Sequence, residues 1–221
     1  MKTTAILMLK APRPGTVKTR LAADIGSERA AAVYRSLVEL QLRQIPEGWA
    51  VAIYFTPDDA ESEMREWLSE FVPEDSFTQQ SAGDLGARME AAVSRELHAG
   101  ADAVALMGGD CPYLTREYLE RAAGHSEDVD VVIGPAVDGG YVLLLLKKPQ
   151  AALFEQIAWS TSRVLEQTKQ AADANRLRHV TMPALEDIDD YASLCRFYTR
   201  SERSSETIAE QARQVETDDN G

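Results

Sequence analysis

The sequence contains few cysteines and histidines, and this scarcity excludes several kinds of site. Two cysteines, Cys111 and Cys195, and three histidines occur among 221 residues. Cysteines this far apart match neither a zinc site nor a disulfide framework. His98, His125 and His179 lie outside every motif described below. Histidine general-base catalysis and a histidine-rich zinc site are therefore not expected.

Long apolar runs and an excess of positive charge are also missing. The longest apolar stretch, Tyr141 to Leu146, is far shorter than the ~20 residues that span a bilayer. The run from Ala5 to Leu9 is too short for the core of a signal peptide. The net charge is −13, which opposes binding to nucleic-acid phosphates and to anionic membranes. We expect a cytoplasmic protein that neither binds nucleic acid nor inserts into membranes.

Short apolar runs alternate with helical patterns through residues 1–200. Continuous runs such as Thr4–Leu9 and Ala103–Met107 are typical of strands buried on both faces, and the periodicity of Ser27–Gln44 is typical of a helix. The other predicted strands are Val51–Phe55, Val129–Ile133, Tyr141–Leu146 and His179–Met182. The other predicted helices are Asp59–Phe71, Leu85–Leu97, Arg116–Ala123, Ser162–Ala174 and Tyr191–Tyr198.

This alternation predicts an α/β fold in one domain, residues 1–200. Its sheet would be doubly wound, mixed and mainly parallel, with helices on both faces. Ligands of such folds bind outside the carboxyl ends of the strands. The acidic segment 201–221 has few large apolar residues, so we expect it to be a mobile tail.

The segment after the first strand, KAPRPGTVKTR, predicts a nucleotide site. Pro12 and Gly15 shape a tight loop, and Lys18 and Arg20 follow at the opening of a helical stretch. Backbone donors and fixed cations at a helix start suit a di- or triphosphate. A Walker A loop is excluded because Pro12 and Val17 stand where that motif needs glycine. The alternative is a surface loop with solvated cations. The predicted nucleotide-binding residues here are Lys10, Pro12, Gly15, Lys18 and Arg20.

A second motif, GDLGARM, opens a helical pattern. Gly83 marks a turn, Asp84 can cap the helix, and Arg88 lies in its first turn. We assign all three to the nucleotide site. The alternative is a helix cap and nothing more.

A third motif, GGDCP, directly follows the predicted strand Ala103–Met107. Gly108 lets a ligand approach the backbone, and Asp110 at the carboxyl end of the strand can hold Mg²⁺ or contact a ribose. We assign both residues to the nucleotide site; the alternative for Asp110 is a helix cap. Cys111 is predicted to be a small buried packing residue rather than a nucleophile.

The motifs GPAVDGGY and WST suggest a substrate-binding wall. The first lies between two predicted strands, and the second opens a helix. The alternatives are a hairpin turn and a helix cap, with Trp159 closing the core or packing on a sugar. The predicted substrate-binding residues are Asp138, Gly139, Gly140, Tyr141 and Trp159.

The motif LEDIDD places four acids within five residues. We select Asp189 as a second carboxylate opposite Asp110, because Mg²⁺ and Mn²⁺ prefer oxygen ligands and share substrate phosphates. The alternative is a solvated turn. The predicted metal ligands are Asp110 and Asp189.

Taken together, six ordered motifs over residues 3–198 resemble a bacterial family of nucleotide-diphospho-sugar transferase-like proteins of unknown function. The family is also known as an arsenosugar-biosynthesis type of glycosyltransferase and is similar to 2-phospho-L-lactate guanylyltransferase. The motifs are KxPxPGxVKTRL, GDLGxRM, GxDCP, GPxxDGGY, WST and DID.

The resemblance implies a GT-A fold, which is Rossmann-like, with the nucleotide in its N-terminal half. Lys18 and Arg20 would contact phosphate. Asp110 would act as the aspartate of the metal-binding DxD motif, and Asp189 as the late aspartate of related nucleotidyltransferases. Cys111 and Pro112 follow Asp110 where the second acid would lie, and Gly109 stands where the family more often has Thr or Ser. The GGxGTR loop of sugar nucleotidyltransferases is absent.

The expected function is a metal-dependent glycosyltransferase that uses a nucleotide-diphospho-sugar donor, a small-molecule acceptor and Mg²⁺ or Mn²⁺. The catalytic residues would be Lys18 and Asp110, with Asp138 orienting or deprotonating the acceptor, and Arg88 would assist the leaving group. One alternative is a nucleotidyltransferase that joins a nucleoside triphosphate to a phosphorylated acceptor. Another is a nucleotide-binding protein without turnover. The base, the sugar, the acceptor and the oligomeric state stay open.

Overall fold

The computed structural model describes residues 1–200, and the predicted tail lies outside them. None of the helices in this part of the chain has the length and apolar character needed to cross a membrane. The strands are β1 (Thr3–Lys10), β2 (Ala50–Thr56), β3 (Phe77–Gln79), β4 (Ala103–Met107), β5 (Val131–Pro135), β6 (Tyr141–Leu146) and β7 (His179–Thr181). The helices are α1 (Thr19–Ile25), α2 (Ser27–Gln44), α3 (Glu61–Leu68), α4 (Leu85–His98), α5 (Arg116–His125) and α6 (Val164–Ala174), and residues 191–200 are also helical.

The strands form one sheet in the order β3-β2-β1-β4-β6-β5-β7. Strand β6 runs antiparallel to β4 and β5, and the remaining neighbours are parallel. The predicted mixed, mainly parallel α/β sheet is therefore confirmed. Because β5 runs in the same direction as β1 and β4, the loop between β5 and β6 lies at the carboxyl edge of the sheet.

Helices cover both faces of the sheet, which explains the continuous apolar runs. Leu7 of β1 packs on one face in the same core as Val38 of α2. Its neighbour Ile6 packs on the other face with Met89 of α4 and Ala172 of α6. Successive residues of a strand point to opposite faces, so a strand covered on both sides must be apolar at every position.

A third apolar cluster attaches the end of the described chain to the first two helices. Ile188 and Leu194 pack against Leu21 of α1 and against Ala30 and Leu37 of α2. Ile188 is fully buried. This contact brings the acidic segment around residue 188 to the carboxyl edge of the sheet.

The structure corrects three details of the sequence prediction and gives the bounds of the helical stretch after the first loop. That stretch is α1, and Gly26, at φ 86°, ends it just before the predicted helix Ser27–Gln44. Strand β3 was missed because it has three residues only. The predicted strand Val129–Ile133 lies two residues later, where β5 pairs with β6 as far as Pro135. The helix predicted over Asp59–Phe71 ends at Leu68, and the carbonyl of Leu68 then accepts turn bonds from the next segment.

The turn after β4 packs closely against β1 and α2. A Cβ atom on Gly109 would come within 2.6 Å of Leu9 Cδ2 and 2.7 Å of Val38 Cγ2. Both of those side chains are buried, so the space is already filled. A hydroxylated residue at position 109 would require the core to shift.

We expect Gly109→Ala to lower the free energy of unfolding by about 1–3 kcal/mol, because it overpacks a filled core. Gly124→Ala is the matched control. A Cβ there meets no atom within 4 Å, and helix propensity predicts a gain of up to about 1 kcal/mol. Urea unfolding of both variants gives the two values. Equal effects of the two substitutions would contradict the packing argument.

Candidate functional site

Residues distant in sequence meet at the carboxyl edge of the sheet. The Lys18 Nζ atom donates to Asp110 Oδ2 at 2.9 Å and to Asp189 Oδ1 at 3.2 Å. The side chain of Lys18 is only 6% exposed. Arg20 lies 3.5 Å from Asp189 but is 79% exposed. Lys18 is thus the buried cation of the site, and Arg20 is a cation at its surface.

The backbone at Lys18 adopts an unusual conformation. Lys18 has φ 47° and ψ 47°, in the left-handed region, and it directly precedes α1. Its carbonyl accepts the first bond of that helix, from Ala22 N. Few non-glycine residues adopt this conformation, and those that do cluster at functional sites. It places the side chain of Lys18 between the two carboxylates.

Burial and the neighbouring carboxylates have opposite effects on Lys18. Burial lowers the pKa of the Lys18 ammonium, but Asp110 and Asp189 raise it by more, so the net pKa lies above its ordinary value. Lys18 therefore stays protonated in the folded protein. A buried charge is tolerated only when it is paired in this way.

Backbone bonds hold the two aspartate segments together. Ile188 N donates to the carbonyl of Asp110 at 3.0 Å. The buried side chain of Gln41 in α2 donates to the carbonyl of Gly108 at 2.6 Å. The turn after β4 and the acidic segment are thereby fixed relative to each other and to α2.

A third carboxylate, Asp187, completes the cluster and was missed by the sequence analysis. Ligand atoms of Asp110, Asp187 and Asp189 lie within 4.8 Å of one another. Burial, together with the charges of Asp110, Asp189 and Asp138, raises the pKa of Asp187 to about 6. The signal was the order acid–Ile–acid, because an extended chain turns alternate side chains to one side. Ile188 points into the core, and its two neighbours face the site.

The chemistry of these side chains fits a divalent ion. Three carboxylates face one buried ammonium, which leaves an excess of negative charge. Burial is the main cause of the raised pKa of Asp187, and the charges of its acidic neighbours add to it. Mg²⁺ and Mn²⁺ prefer oxygen ligands of this kind. The Cys111 thiol beside the cluster is buried, which raises its pKa to about 12, so it is a packing residue and not a nucleophile.

Two cavities adjoin the cluster. The basic cavity, about 570 Å³, is lined by cations and hydroxyls, including Lys10, Lys18, Arg20, Thr16 and Thr19. The apolar cavity, about 560 Å³, is lined mainly by Met8, Leu85, Met89, Leu106, Tyr141 and Trp159, together with residues 160–162. A charged ligand portion suits the first cavity, and an apolar or ring portion suits the second.

Trp159 is held by the second motif. A Cβ on Gly86 would come within 2.4 Å of Trp159 Nε1, so only glycine lets the indole lie this close to α4. The rings of Trp159 and Tyr141 meet edge to face, with centroids 6.4 Å apart. The GDLGARM motif thus shapes the apolar cavity through Gly86.

The structure brings together half of the predicted nucleotide-binding residues. Lys10, Lys18, Arg20, Gly108 and Asp110 line the basic cavity. Pro12, Gly15, Gly83, Asp84 and Arg88 line neither cavity.

The second motif makes local bonds instead. Asp84 Oδ1 accepts from Ala87 N and caps α4, and Arg88 Nε donates to the carbonyl of Gly83 at 2.9 Å. These bonds match the alternative given for this motif, a helix cap, rather than a nucleotide site.

Most of the predicted substrate-binding residues line the apolar cavity: Asp138, Gly140, Tyr141 and Trp159. Asp138 Oδ1 also accepts from Gly140 N at 2.9 Å, which stabilises the hairpin loop. Gly139 does not line the cavity. Its φ of 93° and a closest approach of 2.3 Å between a built Cβ and the Ser162 carbonyl make glycine necessary there.

Comparison with known proteins gives a family and a fold. Residues 40–161 match the model of a family described as "Uncharacterized protein conserved in bacteria (DUF2064)". No curated protein matches the chain. A proposed nucleotide-diphospho-sugar transferase from Desulfovibrio desulfuricans G20 is 31% identical, with a TM-score of 0.86 over 93% of this chain and 90% of that one.

More distant structures share the fold. One is a CMP:2-keto-3-deoxy-manno-octonic acid synthetase complexed with CTP, with 11% identity and a TM-score of 0.55 over 93% of this chain and 100% of that one. Another is a mannosyltransferase from Pyrobaculum calidifontis in complex with GDP-Man and Mn²⁺. It has 16% identity and a TM-score of 0.50 over 84% of this chain and 56% of that one.

The raised pKa of Asp187 makes stability depend on pH. The folded protein favours the protonated form of Asp187. The stabilisation that results is complete below about pH 3.8, the ordinary pKa, and is lost as the pH rises through the folded-state pKa of about 6. In metal-free buffer, Asp187→Asn is expected to raise the melting temperature at pH 8 and to leave it unchanged near pH 3.5.

Asp190→Asn is the matched control for this prediction. Hydrogen bonds from the backbone and side chain of Ser193 lower the pKa of Asp190, so its charged form is favoured and no gain is expected at pH 8. Thermal unfolding at several pH values tests both variants. A gain for Asp187→Asn that is independent of pH would show that the carboxylate charge is not its cause.

Proposed function

The chain belongs to the DUF2064 family of proteins conserved in bacteria, and from this premise we propose that it is a metal-dependent glycosyltransferase with a nucleotide-diphospho-sugar donor. The 31% identical structure, itself a proposed nucleotide-diphospho-sugar transferase, supports a transferase activity for this chain. The observation that carries the proposal is the buried Lys18 paired with Asp110 and Asp189. All three residues line the basic cavity, and Asp189 also lines the apolar one.

The basic cavity would hold the donor diphosphate. Lys10 and Arg20 supply positive charge, and the hydroxyls of Thr16 and Thr19 supply hydrogen bonds at its wall. Charge-assisted bonds of this kind are the strong ones in phosphate recognition. Arg20 pairs with Asp189 but is 79% exposed, so its side chain can reorient toward an incoming ligand.

Asp110, Asp187 and Asp189 would hold Mg²⁺ or Mn²⁺. Such an ion supplies charge neutralisation of the diphosphate and acts as a Lewis acid. The mannosyltransferase with this fold is bound to GDP-Man and Mn²⁺, which supports the assignment without identifying the ion used by this chain.

Lys18 would stabilise the leaving group. Its ammonium is charged, buried and fixed at the wall of the basic cavity, so it acts on phosphate charge in surroundings of low dielectric constant. The bond between the sugar and the diphosphate breaks, and the acceptor oxygen bonds to the sugar carbon. The hydroxyl proton of the acceptor passes to Asp138, at the wall of the apolar cavity.

Nucleotidyl transfer is the second candidate. Two cations at the start of α1, Lys18 and Arg20, suit a triphosphate, and a synthetase complexed with CTP has this fold. An acceptor would then attack the α-phosphate and release pyrophosphate. A nucleotide-binding protein without turnover is the third candidate, which the same cavities would serve.

Thermal unfolding with nucleotides and metal tests the proposal. We expect a nucleoside diphosphate or nucleotide sugar to raise the melting temperature in the presence of Mn²⁺. At a hundredfold over its Kd, a ligand adds about 2.7 kcal/mol of stability. Asp110→Asn should abolish this metal-dependent gain because it removes a metal ligand.

Asp128→Asn is the control. Asp128 is exposed in the connection between α5 and β5, at the opposite edge of the sheet, so the gain should persist. A gain with triphosphates alone, together with pyrophosphate release, would favour nucleotidyl transfer. No gain with any nucleotide, or one that survives in Asp110→Asn, would refute the proposed site.

A further inference from the structure

The two cavities lie side by side next to Asp189. They share part of their lining, namely Met8, Arg20, Gly108, Ser160 and Asp189. A group in the apolar cavity would therefore meet a group in the basic cavity at this shared wall. If the donor diphosphate lies in the basic cavity, the acceptor is the molecule that enters the apolar one.

The charges around the apolar cavity oppose a phosphate group. Its lining contains two carboxylates, Asp138 and Asp189, and one cation, Arg20. Arg20 is 79% exposed and already faces Asp189 at 3.5 Å, so it offers little charge to a second anion. A divalent ion on the aspartates would be shared with the donor diphosphate and would leave the charge of Asp138 uncompensated. Phosphate recognition uses charge-assisted hydrogen bonds from cations such as Lys10 and Lys18, which line the basic cavity and not the apolar one.

The remaining lining is typical of a site for an apolar or ring-shaped group. Met8, Met89 and Leu106 form apolar surface, and Trp159 and Tyr141 add two aromatic rings. The indole is fixed over Gly86, so this surface is formed before a ligand arrives. Aromatic walls that are already in place bind the carbon faces of rings without ordering cost.

Neutral polar groups lie where the cavities join. Ser160 lines both cavities, and its φ of 61° is again the left-handed conformation that is rare for residues other than glycine. Ser162 lines the apolar cavity as well. Hydroxyls can orient an acceptor hydroxyl by hydrogen bonds but cannot neutralise an anion.

From this combination we infer that the acceptor is an uncharged hydroxyl compound with an apolar or ring portion, and not a phosphorylated molecule. The inference rests on the proposed function. Trp159 contacts the ring portion, Ser160 and Asp138 face the reacting hydroxyl, and Asp138 excludes phosphorylated analogues through its charge. Asp138 is then a specificity-determining residue in addition to its role in accepting the proton.

A matched pair of probes tests the inference by tryptophan fluorescence. Phenyl β-D-glucoside and its 6-phosphate differ only in the phosphate. Both are titrated into the protein with Mg²⁺ and pyrophosphate present, so that the basic cavity and the aspartates are satisfied without a nucleotide. We expect the neutral glucoside to bind at least about tenfold more tightly, which corresponds to about 1.4 kcal/mol.

Substitutions connect this difference to the cavity. Trp159→Phe should remove the fluorescence change, whereas Trp49→Phe, which precedes β2 at the opposite edge of the sheet, should retain it. Asp138→Asn keeps an acceptor for the Gly140 N–H. It should reduce the ratio of the affinities for the neutral glucoside and its 6-phosphate by at least about threefold. Asp128→Asn should leave the preference unchanged.

Several outcomes would overturn the inference. These are equal affinities, tighter binding of the phosphate, no saturable change with either probe, a change that persists in Trp159→Phe, and a preference that is unaltered in Asp138→Asn. Because no nucleotide is present, the result does not depend on the donor. Failure of donor binding in the thermal experiment would refute the proposed function, whereas failure here would refute the acceptor class alone.

Discussion

The pairing of the buried Lys18 ammonium with Asp110 and Asp189 is the interaction on which the site depends. Removing one partner from a buried ion pair leaves an uncompensated charge, which is strongly unfavourable. The three residues come from the loop after β1, the turn after β4 and the acidic segment after β7. Both cavities adjoin this cluster, so their shape depends on the same contacts. The apolar packing of Ile188 and its backbone bond to Asp110 keep the segments in register.

Much of the fold could be predicted because both faces of the sheet are covered. The strands β4 and β6 and the helix α2 have the predicted bounds, since continuous apolar runs and helical periodicity are local signals. Strand β3 carries no such signal, because its three residues pair only with β2 at the edge of the sheet. The end of α1 rests on the backbone angle of Gly26, which composition alone does not reveal.

The candidate site was predictable where a motif follows a strand, since the strand then delivers the side chain to the carboxyl edge. Asp110 and Lys18 were found in this way, and the structure places Asp189 beside both. Asp187 was missed because its position depends on the burial of Ile188, which turns the two neighbouring aspartates toward the site. Sequence spacing gave Gly86 no role in the site, because its neighbour Trp159 lies 73 positions later and only tertiary packing joins them. Arg88 was predicted to bind the nucleotide, but its side chain bonds to the nearby carbonyl of Gly83 and lines neither cavity.

The order of the ion cluster along the chain has a consequence for biosynthesis. Lys18 and Asp189 are separated by 171 residues, and Lys18 and Asp110 by 92. At about 5–20 residues per second, the ribosome makes Asp189 roughly 9 to 34 s after Lys18. During that interval the N-terminal strands can form while the lysine still faces water. The cluster is therefore among the last parts to assemble, and its closure marks the step at which the newly made chain gains its cavities.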